Sequence, residues 1–196
     1  MADIKEQKLL YHLTDIHNLP SILEYGLLPR SQLEEFEDIA DSDIIDSRKK
    51  LKLDDYVPFH FFARNPFDGR VQKDHPDKTF ILITVRRERA RKLNWTIIPQ
   101  HPLANENIEL LEYDEGIEAI DWHVMNKRDY RDDYSKSVCM AECLSPKRVL
   151  AKRFFNIFVA DPEDEDVVWD ALDEAALDDI VNVDVNAGMF LRNNHG

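Results

Sequence analysis

The stretch TFILITV, Thr79 to Val85, most restricts what this chain can fold into. It is a continuous run of β-branched and aromatic residues with no charge, the pattern of a buried strand. Shorter apolar runs read as its companions. LLYHLT (Leu9–Thr14) predicts a first strand, and YVPFHFFARNP (Tyr56–Pro66) a short strand that leads into a loop. NWTIIPQ is a strand-like piece, VCMAECLSP another apolar run ended by Pro146, and FFNIFVA (Phe154–Ala160) a last core strand. Between them, Asn18 as N-cap, Pro20 in the first turn and Gly26 as stop bracket a helix. Further helices are expected near Asn107–Tyr113 and over Ile117–Asn126, and the polar segment Ser31–Lys52 reads as a helix or ordered loop over a site. Strands dispersed among helices and long loops predict an α+β domain rather than a regular βαβ array. The glycine fingerprints of Rossmann and P-loop sites are absent.

Charge sets the next limit. The chain carries a net charge of −14, which argues against a nucleic-acid partner until the charge is located. Residues 161–196 hold a balance of −10, with Arg192 their only Lys or Arg, and residues 1–160 only −4. The body keeps two basic clusters, VRRERARK (Val85–Lys92) and PKRVLAKR (Pro146–Arg153), which serve either as solvated faces or to neutralise phosphates. The acidic segment opens with Asp161 as N-cap and Pro162 at the first helical position. Val168, Leu172 and Ala175/Ala176 form one apolar stripe on it. The predicted organisation is therefore a domain over 1–160 and an acidic helical extension over 161–196 packed on it. No apolar run approaches the roughly 20 residues needed to cross a bilayer, and no signal peptide opens the chain. Cys139 and Cys143 stand too close together to frame a secreted fold, so a cytoplasmic, reduced protein is expected.

Four groups of residues could carry chemistry. His12 and Thr14 occupy alternate positions of the first strand and share a face; a His beside a hydroxyl can bind a sugar or an amide, or can be a satisfied core histidine. Glu142 interrupts an apolar run, where an unpaired carboxylate is costly, so it marks either an exposed face or a working group. Cys139 and Cys143 with His101 or His123 lack the paired spacing of a zinc site, and no metal is expected. DYVPFHFFARNPF (Asp55–Phe67) gathers aromatic rings and Arg64 around two prolines, a rigid wall for stacking a flat ring or part of the core.

In this order along the chain, these pieces resemble the DarT family of bacterial DNA ADP-ribosyltransferase toxins. HLTDIHNLPSILEYGL matches the family form H-x-T-x-x-x-N-L-x-x-I-L-x-x-G-L at every fixed position. IIDSRKK is similar to the end of the family's acidic loop and points to Arg48. YVPFHFFARNPF is similar to Y-V-P-F-Y-F-x-x-R-S-P-M, with His60 for a tyrosine, Asn65 for a serine and Phe67 for a methionine. IIPQHPLAN supplies His101, and VCMAECLSP resembles the strand that bears the catalytic glutamate, without the arginine and glutamine before it. The resemblance spans roughly Leu10 to Val159. It implies the ADP-ribosyltransferase fold, two packed twisted sheets with surrounding helices and an NAD cleft between them. Glu142, Arg48 and His101 are then the catalytic candidates. His12, Thr14, Asn18, Arg48, Tyr56 and Phe61 would hold NAD, and Arg64 and Lys136 the nucleic acid. The implied activity is NAD-dependent transfer of ADP-ribose to thymidine bases of single-stranded DNA, a toxin neutralised by a macrodomain antitoxin. The departures leave open a different acceptor (RNA, protein or a small molecule) or an inactive relative that binds nucleotide or a partner.

Overall fold

The computed structural model describes residues 3–33, 36, 48–49, 51–102 and 109–191. The run from Thr79 becomes β3 (Phe80–Arg86), the centre of the molecule. It pairs antiparallel with β1 (Leu9–Asp15) over seven register pairs, Leu9↔Arg86 to Asp15↔Phe80. On its other side lies β6 (Asn156–Val159), followed by β7 (Asn182–Val185) in parallel. Beyond β1 come β2 (Val57–His60), β5 (Glu142–Ser145) and β4 (Thr96–Ile98), so the order is β4-β5-β2-β1-β3-β6-β7.

The two sheets expected of the fold take the form of one sheet nearly divided in two. β1 and β2 share a single register pair, Tyr11↔His60. The next position of β2 that faces β1 is Pro58, which has no N–H to give a ladder. Its carbonyl instead takes the side-chain Nδ1–H of His12 at 2.8 Å. A rift therefore opens between the two halves beyond one pair.

Alternation assigns each sheet residue to a face. Leu10, Phe59, Ile81, Ile83, Ile97 and Ile157 build the main core. It is covered by α1 (Leu19–Tyr25), α3 (Arg87–Lys92), α4 (Tyr113–Ala119), α5 (Trp122–Lys127), α6 (Asp133–Val138) and α7 (Pro162–Glu174). On the opposite face Tyr11, Leu13, Phe80 and Leu82 pack with Phe190 and with Val71 of α2 (Pro66–Asp74).

Several local expectations change. Asn18 makes no capping bond; Asp15 does that work one turn earlier, accepting from His17 N–H, and a 3-10 turn over Ile16–Asn18 leads into α1. Gly26 does stop the helix: its φ is +86°, and a Cβ there would come within 2.7 Å of the Val149 carbonyl. The single helix expected over Ile117–Asn126 is two, α4 and α5, separated at Asp121, whose carboxylate caps Val124 N–H. The helix expected near Asn107–Tyr113 begins only at Tyr113, and 103–108 lie outside the described residues. Most of Ser31–Lys52 lies outside them too. Within VCMAECLSP the strand starts at Glu142, because α6 runs up to Val138. FFNIFVA is not the last strand. After α7 the acidic segment returns as β7 and buries Val168, Leu172, Val181, Val183 and Phe190, while Ala175 and Ala176 stay exposed. The basic cluster after β3 has a structural use: Arg87 is buried and donates to the carbonyls of Ile4, Lys5, Leu9 and Phe61.

The entry to α2 carries a buried acid. Asn65 caps Asp68 N–H at 2.9 Å, and the Asp68 carboxylate accepts Arg64 N–H at 3.1 Å. Burial outweighs these bonds and pushes the Asp68 carboxyl up to about 7.

Two outcomes follow. Leu172→Ala should cost about 2–5 kcal/mol in urea denaturation, whereas Val167→Ala on the exposed side of α7 should stay within about 0.5 kcal/mol. Because the folded carboxyl of Asp68 titrates above its unfolded value, it loses stability for the native state as pH rises from about 4 through 7. Asp68→Asn keeps an acceptor for Arg64 and should be the more stable protein above pH 7, with the difference shrinking toward pH 4.

Candidate functional site

An open cleft enters the rift between β1 and β2. Register explains its two-sided lining. His60 pairs with Tyr11 and with Glu142, so His60 and Glu142 share the face of Tyr11. His12 and Thr14 lie on the other face of β1. All four line the same cleft, as do Pro58, Tyr56 and the α1 stop at Gly26–Leu28.

At the floor stands an ion pair. Glu142, the first residue of β5, is 7% exposed in its side chain, and Arg48 Nη1 reaches both carboxylate oxygens, at 2.8 and 2.9 Å. The misfit acid of the apolar run thus has its partner 94 residues upstream. Among the described residues Arg48 Nη2 is buried without a hydrogen-bond partner, an orphan donor at the cleft wall. Such a donor is costly unless a ligand meets it.

His12 is held with similar definition. Only Nδ1–H can serve the Pro58 carbonyl, so in the neutral ring Nε2 carries the lone pair. Burial pulls the imidazole down to about 4, with the Pro58 bond opposing and His60 adding to the fall. At neutral pH it is an acceptor, tilted against Phe59 at 5.6 Å between centroids. Asn18 Nδ2 donates to Thr14 Oγ1 at 3.2 Å, which orients that hydroxyl where β1 gives way to α1. His60 is buried, its Nδ1 3.3 Å from the Ala141 carbonyl and its ring 5.4 Å from that of Phe67. Burial lowers its pKa, Glu142 and the Ala141 bond oppose, and Arg48 and His101 add to the fall.

The sequence candidates therefore separate. Glu142, Arg48, His12, Thr14, Asn18 and Tyr56 meet in the cleft. His101 borders it: its N–H bonds the Ser137 carbonyl at 2.9 Å, burial lowers its pKa, and Glu142, Arg48 and Lys136 act on it electrostatically. Lys136 is exposed on α6. Phe61 is not a cleft residue: it is fully buried, edge-on to Trp122 at 5.4 Å, because alternation turns it with Phe59 into the main core. Arg64 lines a second cavity. His60 was not among the candidates, although its position two residues from Pro58, on the face of Glu142, signals it. Among the described residues no three His, Cys, Asp or Glu side chains cluster as a metal site. Cys139 and Cys143 are buried free thiols, both pushed up by burial, Cys139 to about 11. No described helix is long and apolar enough to cross a membrane.

Comparison with known proteins gives one consistent result. The model of the family described as "ssDNA thymidine ADP-ribosyltransferase, DarT" matches residues 11–191. A DNA ADP-ribosyl transferase–DNA ADP-ribosyl glycohydrolase fusion protein of Thermosipho africanus is 29% identical over 177 residues, 79% of this chain and 43% of that protein. The chain thus spans less than half the length of that curated relative. Thermus sp. 2.9 DarT in complex with ADP-ribosylated ssDNA superposes with a TM-score of 0.82 at 19% identity, over 95% of this chain and 97% of that one. The same Thermus protein in complex with NAD+ gives 0.77 at 19% identity, over 95% and 98%.

The ion pair makes its own prediction. Arg48→Ala leaves the Glu142 carboxylate buried and unpaired and should cost about 3–5 kcal/mol. Adding Glu142→Gln should return much of that loss, a coupling read in a double-mutant cycle of urea denaturation.

Proposed function

The chain belongs to the DarT family, and on that premise we propose that it transfers ADP-ribose from NAD to thymidine bases of single-stranded DNA. The observation that carries the reading is the Arg48–Glu142 pair set opposite His12 and Thr14 in one cleft. Cleaving the bond between nicotinamide and ribose develops positive charge on the sugar, as in glycoside hydrolysis. Glu142, buried at the cleft floor, would hold a ribose hydroxyl and stabilise that charge. His12, neutral and with Nε2 free to accept, would take a second hydroxyl, and Thr14 would extend the contact. Arg48, with its orphan Nη2, suits a pyrophosphate oxygen or the incoming acceptor, through a fork that a lysine does not offer. Tyr56 supplies an aromatic side to the cleft. The donor fits these residues by chemistry, and a Thermus relative has been solved with NAD+.

The acceptor reading draws on the family and on the Thermus complex with ADP-ribosylated ssDNA. His101, on which Glu142 and Lys136 act electrostatically, would take the proton that leaves the acceptor, and Lys136 would meet the strand. The helix of the acidic segment packs beside β6 and β7 and against α1. A modification of DNA that is toxic needs a partner that removes it. We propose a DNA ADP-ribosyl glycohydrolase as antitoxin, in line with the fused Thermosipho relative, and action in the cytoplasm.

Incubation with NAD and labelled oligonucleotides tests this. Mass spectrometry should find one added ADP-ribose on single strands that contain thymine and none on strands without it. Glu142→Gln should lower the rate by about 100-fold or more. Transfer to RNA or protein alone would overturn the acceptor assignment. Because His12 stays neutral down to about pH 4, NAD affinity should hold from pH 8 to 5 and fall only toward pH 4, read by calorimetric titration.

A further inference from the structure

A second cavity opens on the Tyr11 face of the sheet. Its walls are Phe62–Arg64 after β2, Arg128 and Tyr130 after α5, Tyr11 of β1 and the 188–189 turn. It is joined to the first cleft by one stretch of chain: His60 and Phe67 line the cleft, and Phe62–Arg64 between them line the second cavity. We propose that this cavity is a subsite for a nucleotide flanking the modified base, with Arg64 and Arg128 on its phosphates and Tyr130 against a base. The proposal rests on the acceptor reading above and extends it.

Charge is the first support. Arg64 and Arg128 are the only charged residues of the lining, and no carboxylate stands among it. Neither guanidinium is ion-paired among the described residues, in a chain with 39 acidic residues. A cationic hollow on an acidic protein attracts a polyanion locally without a basic surface. Arg128 lies over the Phe62 ring at 4.5 Å, which holds the guanidinium flat at the wall. Tyr130 is 39% exposed, its ring available as a stacking surface.

Backbone is the second. Arg64 and Arg128 both adopt left-handed φ, +59° and +51°, a region that costs a residue with a Cβ. Arg64 is pinned there at both ends of its own main chain: its N–H donates to the Asp68 carboxylate at 3.1 Å and its carbonyl accepts from Tyr130 Oη–H at 3.1 Å. That last bond ties the two walls together. Among the described residues the Arg64 head makes a single hydrogen bond, to the Gly188 carbonyl at 3.4 Å. A strained, doubly anchored main chain that ends in a loosely held guanidinium is organised for something outside the chain.

Fluorescence anisotropy with oligothymidylates of two to eight nucleotides tests the subsite. The wild-type affinity should climb about tenfold once the strand is long enough to reach the second cavity. Arg64→Ala with Arg128→Ala should abolish that climb and reduce the slope of log K against log salt by about 1.4, two single-strand phosphates. Arg64→Lys with Arg128→Lys should restore the slope. If the alanine pair does not fold, Arg64→Gln alone carries the test, with a slope change of about 0.7. An unchanged length dependence and slope would overturn the subsite. So would displacement of the long strand by free dTMP, which would make the occupant a free nucleotide. ADP-ribosyl transfer is followed in the same samples. Wild-type transfer with an unaltered variant overturns the subsite alone, whereas no wild-type transfer to any thymine strand overturns the acceptor reading and the subsite with it.

Discussion

The hydrogen bond from His12 Nδ1 to the Pro58 carbonyl governs the rest of the site. In a continuous sheet that carbonyl would take a backbone N–H from β1, and Pro58 would return one. Proline cannot, so a side chain serves the carbonyl and the ladder stops after Tyr11↔His60. One bond thereby does three things: it opens the rift, fixes the tautomer of His12 and leaves Nε2 as an acceptor inside the opening. A regular strand at Pro58 would close the cleft, and a regular histidine would have no defined polarity in it.

The second constraint spans the rift. Glu142 heads β5 because α6 ends at Val138 and only a short turn separates them, so the carboxylate stands at the mouth of a strand rather than inside it. Arg48 compensates it from a segment far away in sequence, and both oxygens are occupied. Two buried charges are stable together and costly apart, which makes the pair a latch. Under the proposed function, a ribose hydroxyl would compete with Arg48 Nη1, which spans both Glu142 oxygens, and the guanidinium would turn toward phosphate or acceptor. Substrate binding and activation of the carboxylate would then be one exchange of partners.

Much of this was legible in the residues. TFILITV reads as a central strand because its run has no charge to expose. Glu142 reads as special because apolar neighbours make an acid expensive. Gly26 reads as a stop because only glycine tolerates its φ. Other features hid for physical reasons. β7 lies in a segment so acidic that exposed Asp residues mask Val181 and Val183, whose burial depends on pairing with β6. The break between α4 and α5 depends on Asp121, an ordinary acid until its carboxylate finds Val124 N–H. Phe61 and Tyr56 share one aromatic segment, yet only register tells which faces the core. His60 became a site residue through its pairing with Glu142, a relation between strands that no local pattern carries. Arg48 came from family likeness, and its pairing with Glu142 was not foreseen, since nothing local joins two residues 94 apart.

The most direct measurement is a crystal structure with a non-hydrolysable NAD analogue. The account predicts the ligand threaded through the rift, with the nicotinamide ribose within hydrogen-bond distance of both His12 Nε2 and Glu142, and with Arg48 released from at least one Glu142 oxygen. A ligand seated on one face of the sheet, with the His12 ring uncontacted and Arg48 still on both oxygens, would contradict it.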